Sequence, residues 1–400
     1  MKPLQTTRLA LKASVITTLL ALAPAASAVE FTGSGFLTLA AGKVLSGTSK
    51  QNVMGYNCPC FISDYAQAGV YQNNGWDWKP DSKLGLQGTA KLSNDFSVTS
   101  QVVFRGARDG NPNLEWIYGS YKINDKLTLQ VGRKRVPFFS YSESQDVGFT
   151  YPWVHLPPQM YGWEIVNYNG ANLMYRDNWG DWAANVNILA GQETKKNVPY
   201  QEIYWGKNTN TDTRWGGLRG IEVNLSKDWF EARALYLETN TQSRGQATSL
   251  TIADPNQWSD KAKRKTYGVS FSADYENWVL RSEFLYINAR ADYGGDRAQL
   301  YAAGYRFGKW LPMLTYANYK QFVLDKPGDF KHPDQAEGHS TVSLSLRYDL
   351  TSSSAVKVQL DHWQDHSGPL YNNMDSTNPF AGNTAYGSSN LLSVSYDKVF

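Results

Sequence analysis

From Val29 to the C-terminus, apolar and polar residues alternate with a period of two. Leu84, Leu86, Gly88 and Ala90 alternate with Lys83, Gly85, Gln87 and Thr89. Val342, Leu344, Leu346 and Tyr348 flank Ser343, Ser345 and Arg347, and Val356, Val358 and Leu360 flank Lys357 and Gln359. Successive side chains of a strand point to opposite faces, so each segment carries one apolar and one polar surface. The same pattern recurs at 96–104, 221–225, 267–275 and 392–396. It predicts an all-β chain of sixteen strands, the first at 31–41 and the last at 391–400.

A soluble sandwich alternates in the same way, with its apolar side chains turned inward. Three features argue for the inverse arrangement. The segments run to about ten residues, the length of a tilted strand crossing the hydrocarbon layer. Aromatic residues mark strand ends, as at Phe96, Tyr275, Trp278, Trp310 and Tyr348, where an interfacial girdle belongs. Connections are also sorted by length. Tight turns at 93–95, 124–126, 276–277, 308–309 and 351–354 contrast with long polar excursions at 42–80, 137–163, 191–216, 238–264, 321–338 and 364–389. Short turns on one rim and long loops on the other describe a closed antiparallel transmembrane β-barrel. An even strand count puts both termini on the short-turn rim.

The first 28 residues read as a cleaved leader: Lys2, Arg8 and Lys12 precede the apolar run 13–23, and Ala26-Ser27-Ala28 fits a small-x-small cleavage site. Beyond it no run approaches the roughly 18 apolar residues of a spanning helix, which excludes a helical membrane bundle. Removing the three leader cations from 39 basic residues leaves 36 against 36 acidic ones. Residues 29–400 are therefore a formally neutral single domain, with no electrostatic case for a nucleic-acid partner. Cys58-Pro59-Cys60 lies in the first long loop, as a loop clip or as free thiols, with no His nearby to complete a metal site. His362 and His366 share a strand phase but stand about 13 Å apart at 3.3 Å per residue, too far to hold one metal. His332 and His339 fall near a loop, where solvation is expected. No metal or cofactor is expected.

Three stretches carry a family resemblance that spans essentially all of residues 29–400. They are Phe31–Leu39 (FTGSGFLTL), Lys126–Arg135 (KLTLQVGRKR), where Gly132-Arg133 leads into a long loop, and the terminal Ser395–Phe400 (SYDKVF). They resemble the first strand, the strand before the third long loop and the C-terminal assembly tag of Gram-negative general porins. Lys398 departs from that tag, in which an apolar residue is usual. The resemblance implies a sixteen-stranded trimeric barrel in the outer membrane, passing small hydrophilic solutes and ions by passive diffusion. It also implies contact with membrane lipid and lipopolysaccharide, and an assembly signal at Phe400 and Tyr396 read by the outer-membrane assembly machinery. The homotrimer rests on this resemblance, although Gly33, Gly35, Gly88 and Ala90 on the predicted outer face are compatible with close approach of a neighbour.

A barrel of this size is too wide for its own side chains to fill. In the porins it resembles, the third long loop folds inward, which makes 137–163 the expected constriction loop. Its 27 residues exceed the roughly 12–15 at which a loop calls for a functional reason. It carries Glu143 and Asp146, with Glu164 just beyond, and is stiffened by Pro137, Pro152, Pro157 and Pro158 and by many aromatics. Such residues lower the freedom lost when a loop is pinned. By phase, Lys91, Arg105, Arg233, Arg281, Arg347 and Lys357 project inward, so a cationic strip is expected to face the acidic loop and set a transverse field. Strict alternation from Leu127, Leu129 and Val131 sends Arg133 and Arg135 toward lipid, where a guanidinium near the midplane costs about 2–4 kcal/mol. A local bulge, or a protected trimer-side position, is inferred to turn both inward. Arg105, Arg133 and Arg135 against Glu143 and Asp146 form the expected constriction.

Two other readings start from the same residues. The aromatics of 137–163 would suit a substrate-selective channel, with sugars sliding along an aromatic track. A hydrolase would need a Ser beside a His with an orienting carboxylate. His339 and Ser340 are adjacent on a strand and face opposite ways, so no nucleophile–base pair is indicated and no enzymatic activity is expected.

Overall fold

The computed structural model describes residues 29–48, 52–53, 55–207, 210–245, 254, 256–289, 294–323, 337–367 and 387–400. The expected leader lies outside them, as do His332 and parts of the long loops expected at 238–264, 321–338 and 364–389. Sixteen antiparallel strands close into one barrel. The first eight are β1 (Glu30–Gly47), β2 (Lys83–Lys91), β3 (Phe96–Arg105), β4 (Pro112–Lys122), β5 (Leu127–Arg135), β6 (Asn167–Trp179), β7 (Trp182–Lys195) and β8 (Thr211–Lys227). The rest are β9 (Phe230–Gly245), β10 (Ala262–Tyr275), β11 (Trp278–Ala289), β12 (Gly294–Tyr305), β13 (Trp310–Val323), β14 (Gly338–Thr351), β15 (Ser354–Asp365) and β16 (Ser388–Val399). Each pairs with its neighbour in sequence, and β16 closes on β1 from Phe36↔Val399 to Gly47↔Ser389. Gly35 and Phe400 seal that seam by exchanging backbone hydrogen bonds of 2.7 and 2.9 Å. A closed ladder leaves no unpaired edge.

The alternation runs inside out relative to a soluble protein. On β14, Leu344 is 57% exposed while Ser343 is 3% exposed. On β15, Val356, Val358 and Leu360 are exposed and Lys357, Gln359 and Asp361 are buried. Tyr267, Val269 and Phe271 repeat the pattern on β10. Burying lysine and aspartate while exposing leucine makes sense only where the outer solvent is hydrocarbon. Aromatic pairs gird the short-turn rim: Trp229 with Tyr275, Trp278 with Tyr305 and Trp310 with Tyr348 have ring centroids 5.1, 5.1 and 4.4 Å apart. Turns on this rim are tight because their residues accept positive φ. Gly180 (φ 64°), Asp228 (φ 50°) and Glu276 (φ 52°) open two-residue hairpins whose twist matches the strands. Pro312 sits near the start of β13, in register with Leu346.

Several strands run beyond their expected ends toward the long-loop rim, as β1 does to Gly47 and β9 to Gly245. There both faces leave the hydrocarbon layer, so pairing continues after alternation fades. The excursion expected at 42–80 is not simply polar. It holds two small hairpins, Asn52–Val53 with Tyr56–Asn57 and Phe61–Asp64 with Gly69–Tyr71. Tyr56, Phe61, Ile62, Tyr65, Val70 and Tyr71 form a buried cluster with Val44, Trp363 and Leu391 of the wall and Ile203 of a short helix, α2 (Tyr200–Trp205). A disulfide joins Cys58 and Cys60 within it. The apolar density of Phe61–Tyr71 was the sequence signal of this docking. His339, expected in solvent, is buried instead, stacked between Tyr65 and Tyr319 with centroids 5.2 and 5.0 Å away.

Candidate pore constriction

After β5 the chain turns into the barrel, and residues 136–163 pack on its inner wall. Part of the wall there is apolar on both faces. Leu235 and Leu237 of β9, Leu285 and Ile287 of β11, Leu300 of β12 and Met313 of β13 point inward and share one cluster with loop residues. From the loop come Phe138, Phe139, Tyr151, Trp153 and Leu156, with Met160 and Tyr161 of the short helix α1 (Pro158–Tyr161). The loop aromatics are thus spent on docking, and the track imagined for sliding sugars is not available on Phe138, Phe139, Tyr151, Trp153 or Tyr161.

Polar groups fix the register of this docking. Trp153 Nε1 donates to Thr315 Oγ1 at 2.7 Å, and Gln159 Nε2 to Thr341 Oγ1 at 2.6 Å. Glu283 accepts from the Ser140 amide at 2.9 Å and from the Tyr161 hydroxyl. The inward cations of β9, β14 and β15 serve the same end. Arg233 donates to the Pro137 and Phe138 carbonyls. Arg347 donates to those of Phe149 and Tyr151, and Lys357 to those of Gly148 and Trp153. Of the strip read from the sequence as a field source, Arg233, Arg347 and Lys357 therefore bind loop backbone. At Gly148 the loop lies close against the wall: a Cβ there would meet Asp397 Oδ1 at 1.9 Å and Thr38 Oγ1 at 2.5 Å.

Asp146 is not free to face solutes. Arg105 grips it with Nε to Oδ1 at 3.0 Å and Nη2 to Oδ2 at 2.7 Å, and Arg135 reaches the same carboxylate. Both guanidiniums also contact Glu115, a residue of β4 that the sequence reading missed. Glu115 projects inward because a bulge opposite Gln101 and Val102 shifts the β4 register, a feature alternation alone does not reveal. Two cations and two anions, all buried, make an electroneutral quartet. Burial alone would raise the Asp146 carboxyl, but Arg105 and Arg135 hold it well below the usual range.

The other expected site residues separate. Glu143 is exposed on the lumen-side edge of the loop and makes no ion pair among the described residues. Glu164 sits apart from Asp146, accepting from Gln201, Thr213 and Trp215 at 3.3–3.4 Å. Arg281 pairs with Asp274 and donates to the Tyr141 hydroxyl at 3.1 Å. Lys91 lies at the short-turn rim, 3.7 Å from Glu30. Arg133 does not turn inward. Its cross-strand partners Ile117 and Asn169 are exposed, and it pairs with Glu193 at 2.7 Å, so alternation persists through Arg133 and is broken only at Arg135. Gly132 (φ 145°) packs against Tyr118, whose Cα a Cβ would approach to 2.7 Å. Tyr396 stays on the outer face and Phe400 is exposed, its ring over Gly35.

A second clasp joins three elements. His155 of the loop lies between Asp81, 3.1 Å from Nδ1, and Asp361 of β15, 3.3 Å from Nε2. Burial opposes the imidazolium, yet the two carboxylates push its pKa up to about 10. The Asp81 carboxyl, raised by burial, is held below its ordinary range by His155. Ser340 Oγ lies 2.8 Å from His366 Nε2, and no described carboxylate orients that ring, so the geometry is not that of a catalytic triad.

A family model described as Gram-negative porin matches residues 13–366. The chain belongs to the Gram-negative porin family. It is an outer-membrane porin, a channel through which small solutes diffuse passively. A search of curated protein sequences finds no match. Among solved structures the porin resembles the outer membrane channel DcaP of Acinetobacter baumannii, at 12% identity over 95% of this chain and 100% of that one (TM-score 0.55). It is similar to an anion-selective porin from Comamonas acidovorans, at 14% identity over 93% and 100% (TM-score 0.55). It also resembles OmpT of Vibrio cholerae, at 8% identity over 94% and 99% (TM-score 0.53). At these identities the likeness is one of fold.

Proposed function

We propose that the conducting path runs between the lumen-side edge of residues 140–150 and the inner wall of β2–β8 on the short-turn side of the Arg105–Asp146 and Phe138–Trp215 contacts, making 137–163 the constriction loop. Glu143 is then the loop charge that passing ions meet. One observation carries this reading: the Asp146 charge is cancelled within a buried quartet, whereas Glu143 is exposed and without an ion pair among the described residues. Lys134 of β5 lies over the Tyr118 ring, its Nζ 4.9 Å from the ring centroid. The test is the reversal potential of a planar bilayer under a salt gradient. Glu143→Gln shifts it toward anions, and an unchanged value contradicts the path.

We further propose that residues 1–28 are removed on export and that the porin works as a homotrimer. On the outer face of β1 and β2 the Phe31 and Phe400 rings fill the space over Gly88 and Gly35, so support for the trimer comes from the similar OmpT of Vibrio cholerae, which is described in a trimer form. Cross-linking in mild detergent tests the trimer, and mass spectrometry of the mature N-terminus tests the leader. Contact with lipopolysaccharide is supported by a row of outward cations at the long-loop rim: Arg219, Lys263, Lys265, Arg297 and Lys320. Three of them surround Glu238 at 2.6–3.7 Å, leaving an excess of positive charge for lipid phosphates. Phe400 is the residue the assembly machinery would read, and its deletion is expected to slow insertion.

A further inference from the structure

The inner face of β2–β5 carries a patch of uncharged side chains, bordered by Lys134. Register sets Gln87, Gln101 and Trp116 side by side across three strands. The next row is Thr89, Thr99 and Tyr118, and Ser120 and Gln130 follow. These groups bond to one another: Gln101 Nε2 to Gln87 Oε1 at 3.1 Å, Thr89 to Thr99 at 2.9 Å, and Gln130 Nε2 to Ser120 Oγ at 2.9 Å. The bonds hold the amides in place without exhausting them. A side-chain amide has two N–H donors, so Gln87 keeps both and Gln130 keeps one. Trp116 is half-buried, and its ring has no aromatic or cationic partner among the described residues.

We propose that this patch is a saturable, low-affinity subsite for neutral polyhydroxylated solutes, sugars of one or two rings. The inference rests on the path proposed above, which brings solutes past this wall. A hydroxyl both donates and accepts, so a sugar ring on Trp116 can offer a hydroxyl to the free amide N–H groups of Gln87, in the same row, while Gln130 serves a second ring further along the wall. The flat face of Trp116 offers the apolar side of a sugar ring a rigid platform. A simple cation finds no opposite charge in these rows, which the Lys134 ammonium over Tyr118 adjoins. A purely apolar solute would strip water from the amides and return no hydrogen bond.

The experiment is single-channel conductance of the full porin with sucrose, against polyethylene glycol of matched hydrodynamic radius. Sucrose should lower the current along a saturating curve, where glycol lowers it in proportion to concentration. Trp116→Leu and Gln87→Leu should each raise the half-saturating sucrose concentration about 2- to 10-fold, the value of one lost hydrogen bond or contact. Ser120→Ala, a milder change, should raise it less; the channel's own conductance shows that each variant has folded. If sucrose tracks glycol, or the variants leave the half-saturating concentration where it was, the subsite is refuted. If Glu143→Gln leaves the reversal potential unmoved, the path itself has failed, a separate outcome.

Discussion

The inner wall of the barrel has two halves that share one sequence period and differ in what their inward residues meet. Along β9–β16 the inward positions touch protein: Leu237, Leu285 and Leu300 meet loop aromatics, while Arg233, Arg347 and Lys357 bind loop carbonyls. Along β2–β8 the loop touches the ends near the long-loop rim, at Arg105, Arg135 and Trp215, and nearer the short turns the inward positions meet each other and the lumen, as in the chain of contacts from Gln130 to Asn172 to Asn187 to Glu222. The outward faces of the two halves are alike. A residue's side of the wall follows from its phase, but its partner does not, because a buried lysine on a carbonyl and a solvated lysine in a pore occupy the same position in the pattern.

Undoing the docked half should give the largest effects. Asp146→Asn leaves Arg105 and Arg135 sharing only Glu115, and breaking a buried pair costs about 3–5 kcal/mol. Chymotrypsin should then cut within 137–163 of the intact barrel, where wild type resists. Trp153→Ala removes a fully buried side chain and its bond to Thr315, and should loosen docking by about 3–5 kcal/mol, read by the same digestion. Gly148→Ala forces a methyl toward Asp397 and should cost about 1–3 kcal/mol, with a rise in current noise as the loop leaves the wall.

The His155 clasp makes the docked half sensitive to pH. The folded pKa of His155, at about 10, lies above its ordinary 6.5. Its contribution is therefore complete below the ordinary value and is lost as pH rises through about 10. The Asp81 carboxyl is depressed, so its share is present above its ordinary pKa and is lost as acid takes the pH through the depressed value. Raising the pH from neutrality to beyond about 10 should make the loop cleavable in wild type, and His155→Gln should abolish that step. The smallest effect belongs to the rim: Lys91 and Glu30 are both solvent-exposed, and Lys91→Gln should change stability by about 0–1 kcal/mol in chemical denaturation.

Particular residues explain what could be read from the sequence. Leu344 against Ser343 and Val358 against Lys357 were legible because hydrocarbon on one side leaves only one arrangement open. Arg133 and Arg135 were not separable, since the break in alternation depends on where the chain leaves the wall at Val136. Glu115 was hidden by a bulge, which leaves no trace in a period of two. Loop docking by Tyr65 and Tyr71 was masked by the polar residues around them, although apolar side chains at such density seldom stay in water.

Cysteine accessibility in a planar bilayer tests the division of the wall most directly. A water-soluble thiol reagent added to Gln130→Cys should lower conductance, because that position faces the open side of the lumen. The same reagent on Ser343→Cys should leave the current unchanged, because that position is buried at 3% exposure beneath docked chain. Equal responses at the two positions, or a response at Ser343→Cys alone, would contradict a loop held on one half of the wall and a path along the other.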